Sequence, residues 1–210
     1  MRLFREKITR AMTAEASRRV KLKRSAFLKE MRDMTYWAIY DSDTAKAILG
    51  QTGDEKNLAF HFGIPMGIES SILESIISVI TNGIYDRFDG WKPAGTTGVQ
   101  GTFRIYISDQ VERSLLELPD GIVTTEKGED LPWLSWLLTK GDDVIIADYH
   151  IEFGVFAASR SGGAIMVPTL EWAVPSEYAG VEGDNWLTRI FYGNTYQRNI
   201  ATLIKNVLLS

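Results

Sequence analysis

The sequence predicts an α+β protein: an antiparallel sheet packed by helices, with a long N-terminal amphipathic helical extension and a C-terminal helix. Residues 3–38 contain neither glycine nor proline, and their apolar residues recur at spacings of three, four and seven, as in an amphipathic helix. Later segments alternate apolar and polar residues, as half-buried strands do. The predicted strands are joined by short connections and are flanked by helices. This order favours an antiparallel sheet.

The N-terminal segment is predicted to be one long helix, or two helices with a break near residues 24–26. Its apolar stripe is thin between Ala16 and Phe27. We therefore expect this part to project from the core or to dock on another subunit. The chain is divided into a basic helical extension at residues 1–40 and a single α+β domain at residues 41–210.

Two short helices should follow, at residues 42–50 and 57–63. Each segment ends with glycine, and each begins with a side chain that can cap a helix, Ser42 or Asp43 in the first and Asn57 in the second.

A buried helix is predicted at residues 69–82, because this segment has a broad apolar face and is followed by Gly83. Residues 84–88 have the composition of a strand. Residues 89–98 are predicted to be a mobile loop, since they are rich in glycine, proline and threonine. Residues 99–107 alternate with period two and predict another strand.

The second half of the chain is predicted to contain two short helices, at residues 108–116 and 131–138, and an edge strand at residues 122–125. The strongest strand signal is the alternation over residues 144–153. Residues 164–174 predict a hairpin that turns at Pro168 and Thr169.

The C-terminal helix is predicted to begin at Asp184, which can cap it. Gly193 is expected to kink this helix or to divide it.

Composition narrows the function classes. The chain has no cysteine, so disulfides and thiolate chemistry are excluded, and a metal site would have to use carboxylates and two histidines. No run approaches the roughly 18 apolar residues of a membrane-spanning helix. The basic N-terminus lacks the apolar region of a secretory signal. We expect a soluble protein without a membrane partner, assembled in a cytoplasm.

Charge is distributed unevenly along the chain. Residues 1–32 hold eleven Lys and Arg against three Glu, a net charge of +8, whereas the remaining residues carry −12. Opposite charges steer docking, so the basic segment is expected to meet nucleic acid or an acidic protein surface, unless it is simply a solvated helix face. Its central residues are the candidate contacts: Arg18, Arg19, Lys21, Lys23 and Arg24.

Side chains that could carry chemistry are scattered. His61 and His150 each lack a second imidazole or a glutamate at ligand spacing, so we predict no metal and no cofactor. A cluster of carboxylates suggests paired-acid catalysis, but turn chemistry explains its Gly141-Asp142-Asp143 segment without further assumptions. The cluster comprises Glu126, Glu129, Asp130, Asp142, Asp143 and Asp148. We predict no catalytic residue and no enzymatic activity.

Glycine and tryptophan residues indicate contact with a partner. Arg160-Ser161-Gly162-Gly163 has the composition of an anion-binding nest, but it lacks the strand and helix context of a phosphate-binding loop, so an exposed contact loop is the stronger interpretation. Six tryptophans exceed what a small core usually needs, and tryptophan is frequent in interfaces. The interface candidates outside the basic segment are Trp91, Trp133, Trp136, Arg160, Ser161 and Trp172.

A series of short motifs, strongest after Glu126 and beginning near Asn57, resembles the neck or tail-completion (head–tail connector) proteins of tailed bacteriophages. The motifs are Glu126-Lys127-Gly128, Leu131-Pro132-Trp133-Leu134, Trp136-Leu137-Leu138, Asp148-Tyr149-His150-Ile151, Phe153-Gly154, Ser159-Arg160-Ser161, Ala164-Ile165-Met166, Trp172, Val174-Pro175, Tyr178-Ala179-Gly180, Asn185-Trp186 and Thr188-Arg189.

The resemblance implies a non-enzymatic virion protein that forms a homo-oligomeric ring between the portal side of the head and the tail. A hexamer is preferred over a dodecamer, and the neighbours would be neck, portal-side and tail proteins. The role of stopper, completion protein or tail terminator stays open. Asp142 and Asp143 are candidates for the lumen of such a ring, where passing DNA would make transient contact.

Two other function classes remain. The first is a DNA-binding accessory protein that uses the basic helix for phosphate contacts, with an affinity that falls steeply with salt. The second is a carboxylate-dependent virion hydrolase, which would need paired acids such as Glu129 and Asp148 in one cleft.

Overall fold

The computed structural model describes residues 2–95, 98–125 and 128–208 of the chain, so Glu126 and Lys127 lie outside the described residues. The helices are α1 (Arg2–Tyr40), α2 (Asp43–Ile48), α3 (Leu58–Phe62), α4 (Glu69–Asn82), α5 (Asp109–Leu116), α6 (Trp133–Thr139), α7 (Trp186–Phe191) and α8 (Asn194–Leu203). The strands are β1 (Ile84–Ala94), β2 (Gly98–Ile107), β3 (Val123–Thr124), β4 (Asp130–Leu131), β5 (Tyr149–Phe153) and β6 (Ala164–Pro168). The predicted α+β class is confirmed. The strands form three separate two-stranded antiparallel ribbons, β1–β2, β3–β4 and β5–β6.

Helix α1 is continuous over 39 residues, without a break at residues 24–26. Its buried side chains are Val20, Phe27, Met31, Thr35 and Ile39, which are spaced by seven or four residues and therefore share one face. Ile39 belongs to the main core, whereas Phe27 and Met31 form a second, smaller apolar cluster. The C-terminal half of α1 is thus packed against the rest of the protein.

The second cluster joins α1 to β2 and α8. Phe27 meets Phe103 edge to face, with 4.9 Å between ring centroids. Below it, the Thr35 hydroxyl donates to the Met31 carbonyl oxygen at 2.8 Å and lies 2.7 Å from the Tyr196 hydroxyl. Because the Thr35 proton is already used, Tyr196 is the donor to Thr35. This buried polar contact fixes α8 against α1.

The main core surrounds α4, whose inner face is apolar as predicted. The caps of the flanking helices also match the sequence predictions. Ser42 caps α2 and Asn57 caps α3, and Gly63 ends α3 with a left-handed backbone conformation. Trp133 of α6 is fully buried in this core and packs on Phe62.

The prediction of a mobile loop at residues 89–98 is wrong for residues 89–94, because β1 continues to Ala94 and pairs with β2, while Thr96 and Thr97 lie outside the described residues. A bulge between Phe88 and Trp91 absorbs the extra residues, and Gly90 within it has φ of +84°, a conformation that glycine adopts without strain. A Cβ on Gly101 would lie 2.9 Å from the rings of both Phe88 and Trp91. Glycine at these two positions therefore builds the hairpin.

Two predictions in the β5–β6 region are also wrong. Residues 144–153 do not form one strand, because a turn at Ala147 and Asp148 interrupts the alternation, and Asp148 has φ of +63°. Residues 164–174 do not form their own hairpin. Instead β6 pairs with β5, and the ribbon resumes beyond the turn as a bridge between Ile146 and Trp172. Long-range pairing has therefore replaced the local hairpin.

The C-terminal helix begins one residue later than predicted. Asn185 caps α7 and forms a capping box with Thr188, whereas Asp184 accepts a hydrogen bond from Arg189 at 2.8 Å. Gly193 divides α7 from α8, as predicted. Helix α1 is the longest helix in the described parts of the chain, but neither it nor another described helix is both long and apolar enough to cross a membrane.

We expect Phe27→Ala to lower the free energy of unfolding by about 3–5 kcal/mol, because it leaves a cavity in the second cluster. The matched control is Leu22→Ala on the exposed side of the same helix, which should change stability by no more than about 0.5 kcal/mol. Urea unfolding of both variants measures the difference. Equal losses would show that α1 is not anchored through Phe27.

Candidate assembly surfaces

A basic helix and a hairpin lie side by side at one end of the molecule. We define the arm as residues 2–26 of α1 together with the outer part of the β1–β2 hairpin, residues 88–94 and 98–101. Val20 is the buried contact of this part of the helix, and Trp91 and Val99 of the hairpin line a shallow depression with Met12 and Arg19 of the helix. Helix and hairpin thus form one projecting unit.

An ion pair fixes the helix to the hairpin. Arg24 Nε donates to Asp86 Oδ1 at 2.9 Å, and the same guanidinium donates to the Asp86 carbonyl oxygen at 3.2 Å. The Asp86 side chain is fully buried, and its Oδ2 has no hydrogen-bond partner among the described residues, whereas Arg24 is about half exposed. Since a buried carboxylate without a partner is costly, Arg24 is committed to this contact.

The basic residues of α1 therefore differ in role. Arg18 and Arg19 both bind Glu15 at 2.9 Å, and these hydrogen bonds, first that of Arg18, lower the pKa of Glu15 to about 2. Lys21 is exposed and Lys23 is half-buried. Residues 2–26 hold nine Lys and Arg against two Glu, so the arm stays strongly positive despite these pairs.

An open apolar groove lies between β2 and α5 on one side and α7 and α8 on the other. We call it the β2–α8 groove, and its volume is about 770 Å³. Its floor contains Ile105, Val111, Leu115, Leu187, Phe191 and Ile200. Glu112 and Glu182 lie on the rim, and none of the described residues that line the groove is Lys or Arg. The groove is thus apolar inside and negatively charged at its edge.

Several predicted interface residues are buried within the chain, which corrects their assignment to the surface. Trp133 is fully buried and donates from Nε1 to the Asp120 carbonyl oxygen at 3.0 Å. Trp172 is buried between His61 and Trp136, and Ser161 is buried in the loop before β6. These side chains are already packed by the chain itself, so they offer no surface to a partner.

Arg160 also has an internal role. Its Nε donates to the Gly63 carbonyl oxygen at 2.7 Å, and its Nη1 donates to the Thr124 carbonyl oxygen. The guanidinium therefore ties the 159–163 loop to the end of α3 and to β3. The predicted exposed contact loop is instead a fixed connection.

The tryptophans that reach the surface differ in part from the predicted interface residues. Trp136 and Trp91 are half-buried, whereas Trp37 is 56% exposed and packs on the exposed sides of Tyr36 and Tyr40. Sequence reasoning missed Trp37. Its position in the sequence could have indicated that it is exposed, because residue 37 falls outside the face formed by Phe27, Met31, Thr35 and Ile39.

His61 is held by two hydrogen bonds and is no metal ligand in the described structure. His61 accepts from Trp172 Nε1 at its Nδ1 and donates from Nε2 to the Glu55 carbonyl oxygen at 2.8 Å, which fixes the neutral tautomer. Burial lowers the pKa of His61, outweighing this backbone hydrogen bond. Among the described residues no group of three or more His, Asp or Glu side chains is placed to hold a metal ion.

The predicted acidic cluster is spread over different turns. Asp130 lies in β4 and accepts from the Thr124 hydroxyl at 2.7 Å, Asp142 and Asp143 lie in the exposed turn after α6, and Asp148 lies in the turn before β5. Glu129 is exposed, and Glu126 lies outside the described residues. A paired-acid mechanism needs two carboxyl groups across one cleft, and these turns belong to separate segments.

Comparison of the chain with models of protein families, with curated proteins and with solved structures gives no match. The function is therefore inferred from the chemistry of the arm and of the β2–α8 groove.

Arg24→Ala should lower the free energy of unfolding by about 2 kcal/mol, because it leaves the Asp86 carboxylate buried without its charged donor. Arg18→Ala removes an exposed pair of the same kind and should cost no more than about 0.5 kcal/mol. In the double variant Arg24→Ala, Asp86→Asn, part of the loss should be recovered. Urea unfolding measures all three, and a double variant less stable than Arg24→Ala would contradict the explanation.

The stability of the protein should fall between about pH 7 and pH 5.5 because of His61. Since its pKa is lower in the folded state, the unfolded chain takes up the proton first, and the stabilisation present at higher pH is lost on acidification. His61→Gln should flatten this dependence, while His150→Gln should leave it in place. Thermal unfolding measured across this pH range tests the prediction. If stability depends on pH to the same extent in His61→Gln, the prediction is refuted.

Proposed function

We propose that this chain is a structural protein of the phage neck, which joins the portal side of the head to the tail as a homo-oligomeric ring. The observation that carries the proposal is the presence of two different open surfaces on one chain, a basic projecting arm and an apolar groove with an acidic rim. A head-to-tail ring requires such a pair, because each subunit contacts its two neighbours through different surfaces.

The resemblance to neck and tail-completion proteins supplies the setting of this proposal. Much of its motif region serves the internal packing described above, for example Trp133 in the main core and Arg160 at the end of α3. These residues therefore have a structural role in this chain. We therefore propose a non-enzymatic virion role at the head–tail junction, after assembly in the host cytoplasm.

The remaining details of the ring follow as proposals. A hexamer is preferred over a dodecamer, with neck, portal-side and tail proteins as axial neighbours. Asp142 and Asp143 are exposed in the turn after α6, and acidic side chains at the lumen of the ring would repel passing DNA and limit its adhesion. This places the two carboxylates, as a proposal, along the DNA path.

Imaging tests the proposal directly. Tailed particles whose genome encodes this chain should contain it by mass spectrometry, and cryo-electron microscopy should show it as a ring at the head–tail junction. Particles from a null mutant should show heads and tails that fail to join. Location of the chain in the baseplate, the fibres or outside the particle would refute the proposal.

A second candidate is a DNA-binding accessory protein, which the net positive charge of the arm favours. In that case DNA binding should weaken steeply with added salt, and Lys7→Glu with Lys21→Glu should abolish it. Lys46→Glu with Lys140→Glu, outside the arm, is the matched control. Fluorescence anisotropy with duplex DNA makes the measurement. A neck protein should instead bind DNA weakly, and the two pairs of substitutions should have equal effects on that binding.

A further inference from the structure

We infer that the projecting half of α1 from one copy docks into the β2–α8 groove of the next copy. This inference rests on the proposed ring and specifies its interface. The occupant is a second copy of this chain, because the arm and the groove complement each other in both charge and polarity.

The arm carries exposed apolar side chains on one side of its helix. Ile8, Met12 and Leu22 are 42%, 39% and 66% exposed. At 100° per residue they lie within an arc of about 80° on the helix, which they share with the ion pair of Glu15 and Arg19. Trp91 and Val99 border the same side at Met12, which widens the apolar surface. An amphipathic helix with anchors on one face is the usual ligand of an apolar groove.

The charges at the edges of the two surfaces are opposite. Arg18 and Lys7 both lie on the same side of these apolar residues on α1. The groove has Glu112 and Glu182 on its rim and no Lys or Arg among its described lining residues. Docking would therefore place basic side chains beside carboxylates around an apolar centre, the arrangement of stable interfaces.

The arm cannot fill the groove of its own subunit. Helix α1 is unbroken, and Phe27 is fixed against Phe103 beside the groove. Ile8 lies 19 residues before Phe27, which corresponds to about 28 Å along the helix axis. To reach its own groove the helix would have to break between Met12 and Phe27, where it contains neither glycine nor proline. The contact must therefore form between copies.

Cysteine cross-linking tests the inference, because the chain contains no cysteine of its own. A Met12→Cys copy is mixed with a Tyr192→Cys copy, since Tyr192 is an exposed residue of the groove rim. A short bismaleimide should join the two into a covalent dimer. The matched control replaces Tyr192→Cys by Val155→Cys, which is fully exposed and not part of the groove, and should give little product.

Charge reversal provides the second measurement. Glu112→Lys with Glu182→Lys should weaken self-association roughly tenfold at low salt, with less effect at high salt, where rim charges are screened. Glu117→Lys, an exposed reversal outside the groove, is the control. Adding Lys7→Glu and Arg18→Glu to the arm should restore association. Far-ultraviolet circular dichroism and thermal unfolding confirm that each variant is folded.

The outcomes separate this inference from the proposed function. Rings that form without the Met12–Tyr192 product, or a chain that is monomeric at every concentration, would overturn the docking of the arm. Cross-linking in a protein absent from tailed particles would refute the neck role and leave the docking in place. Loss of the product on adding DNA, together with salt-sensitive DNA binding, would identify nucleic acid as the ligand of the arm and overturn the inference.

Discussion

The structure depends on the packing of the C-terminal half of α1. Phe27 and Met31 are buried against β2 and α8, and the Thr35 hydroxyl contacts Tyr196, so this half of the helix is fixed. Because the backbone hydrogen bonds of α1 continue without a break, the N-terminal half has no freedom to follow the surface of its own subunit. It must project. The direction of the basic segment is therefore determined by the packing of the C-terminal half of the same helix.

The β1–β2 hairpin and the helix support each other and together form the surface of the arm. An isolated two-stranded hairpin is marginally stable in water, and here it is supported by the contact of Phe27 with Phe103 and by the pair between Arg24 and the buried Asp86. The helix in turn gains apolar neighbours in Trp91 and Val99. Glycine at position 101 is part of the same arrangement, since the rings of Phe88 and Trp91 occupy the space of a side chain there. The arm is thus a composite of two segments that are distant in sequence.

The candidate site could be predicted only in part. Net charge identified the basic segment, because charge is a sum over residues and needs no coordinates. Burial of individual side chains was harder to predict. Trp133, Trp172 and Ser161 look like interface residues by type, yet the chain packs them itself, and Arg160 is used for two backbone carbonyl oxygens. Trp37 is exposed although Thr35 and Ile39 on the opposite side of the same turn are buried. The β2–α8 groove was not predicted, because β2, α5, α7 and α8 meet only in three dimensions.

Local chemistry by itself determined most of the helices. The spacing of apolar residues in α1 and α4, the caps Ser42 and Asn57, and the stops at Gly63 and Gly83 act over one or two turns, and sequence reasoning placed them correctly. Only the tertiary structure decided the pairing of strands. Residues 144–153 alternate well enough for one strand, but Asp148 turns the chain and Trp172 completes the ribbon from a distance. Strand pairs gain their stability from partners that are remote in sequence, and the alternation pattern of a segment contains no information about which partner it will meet.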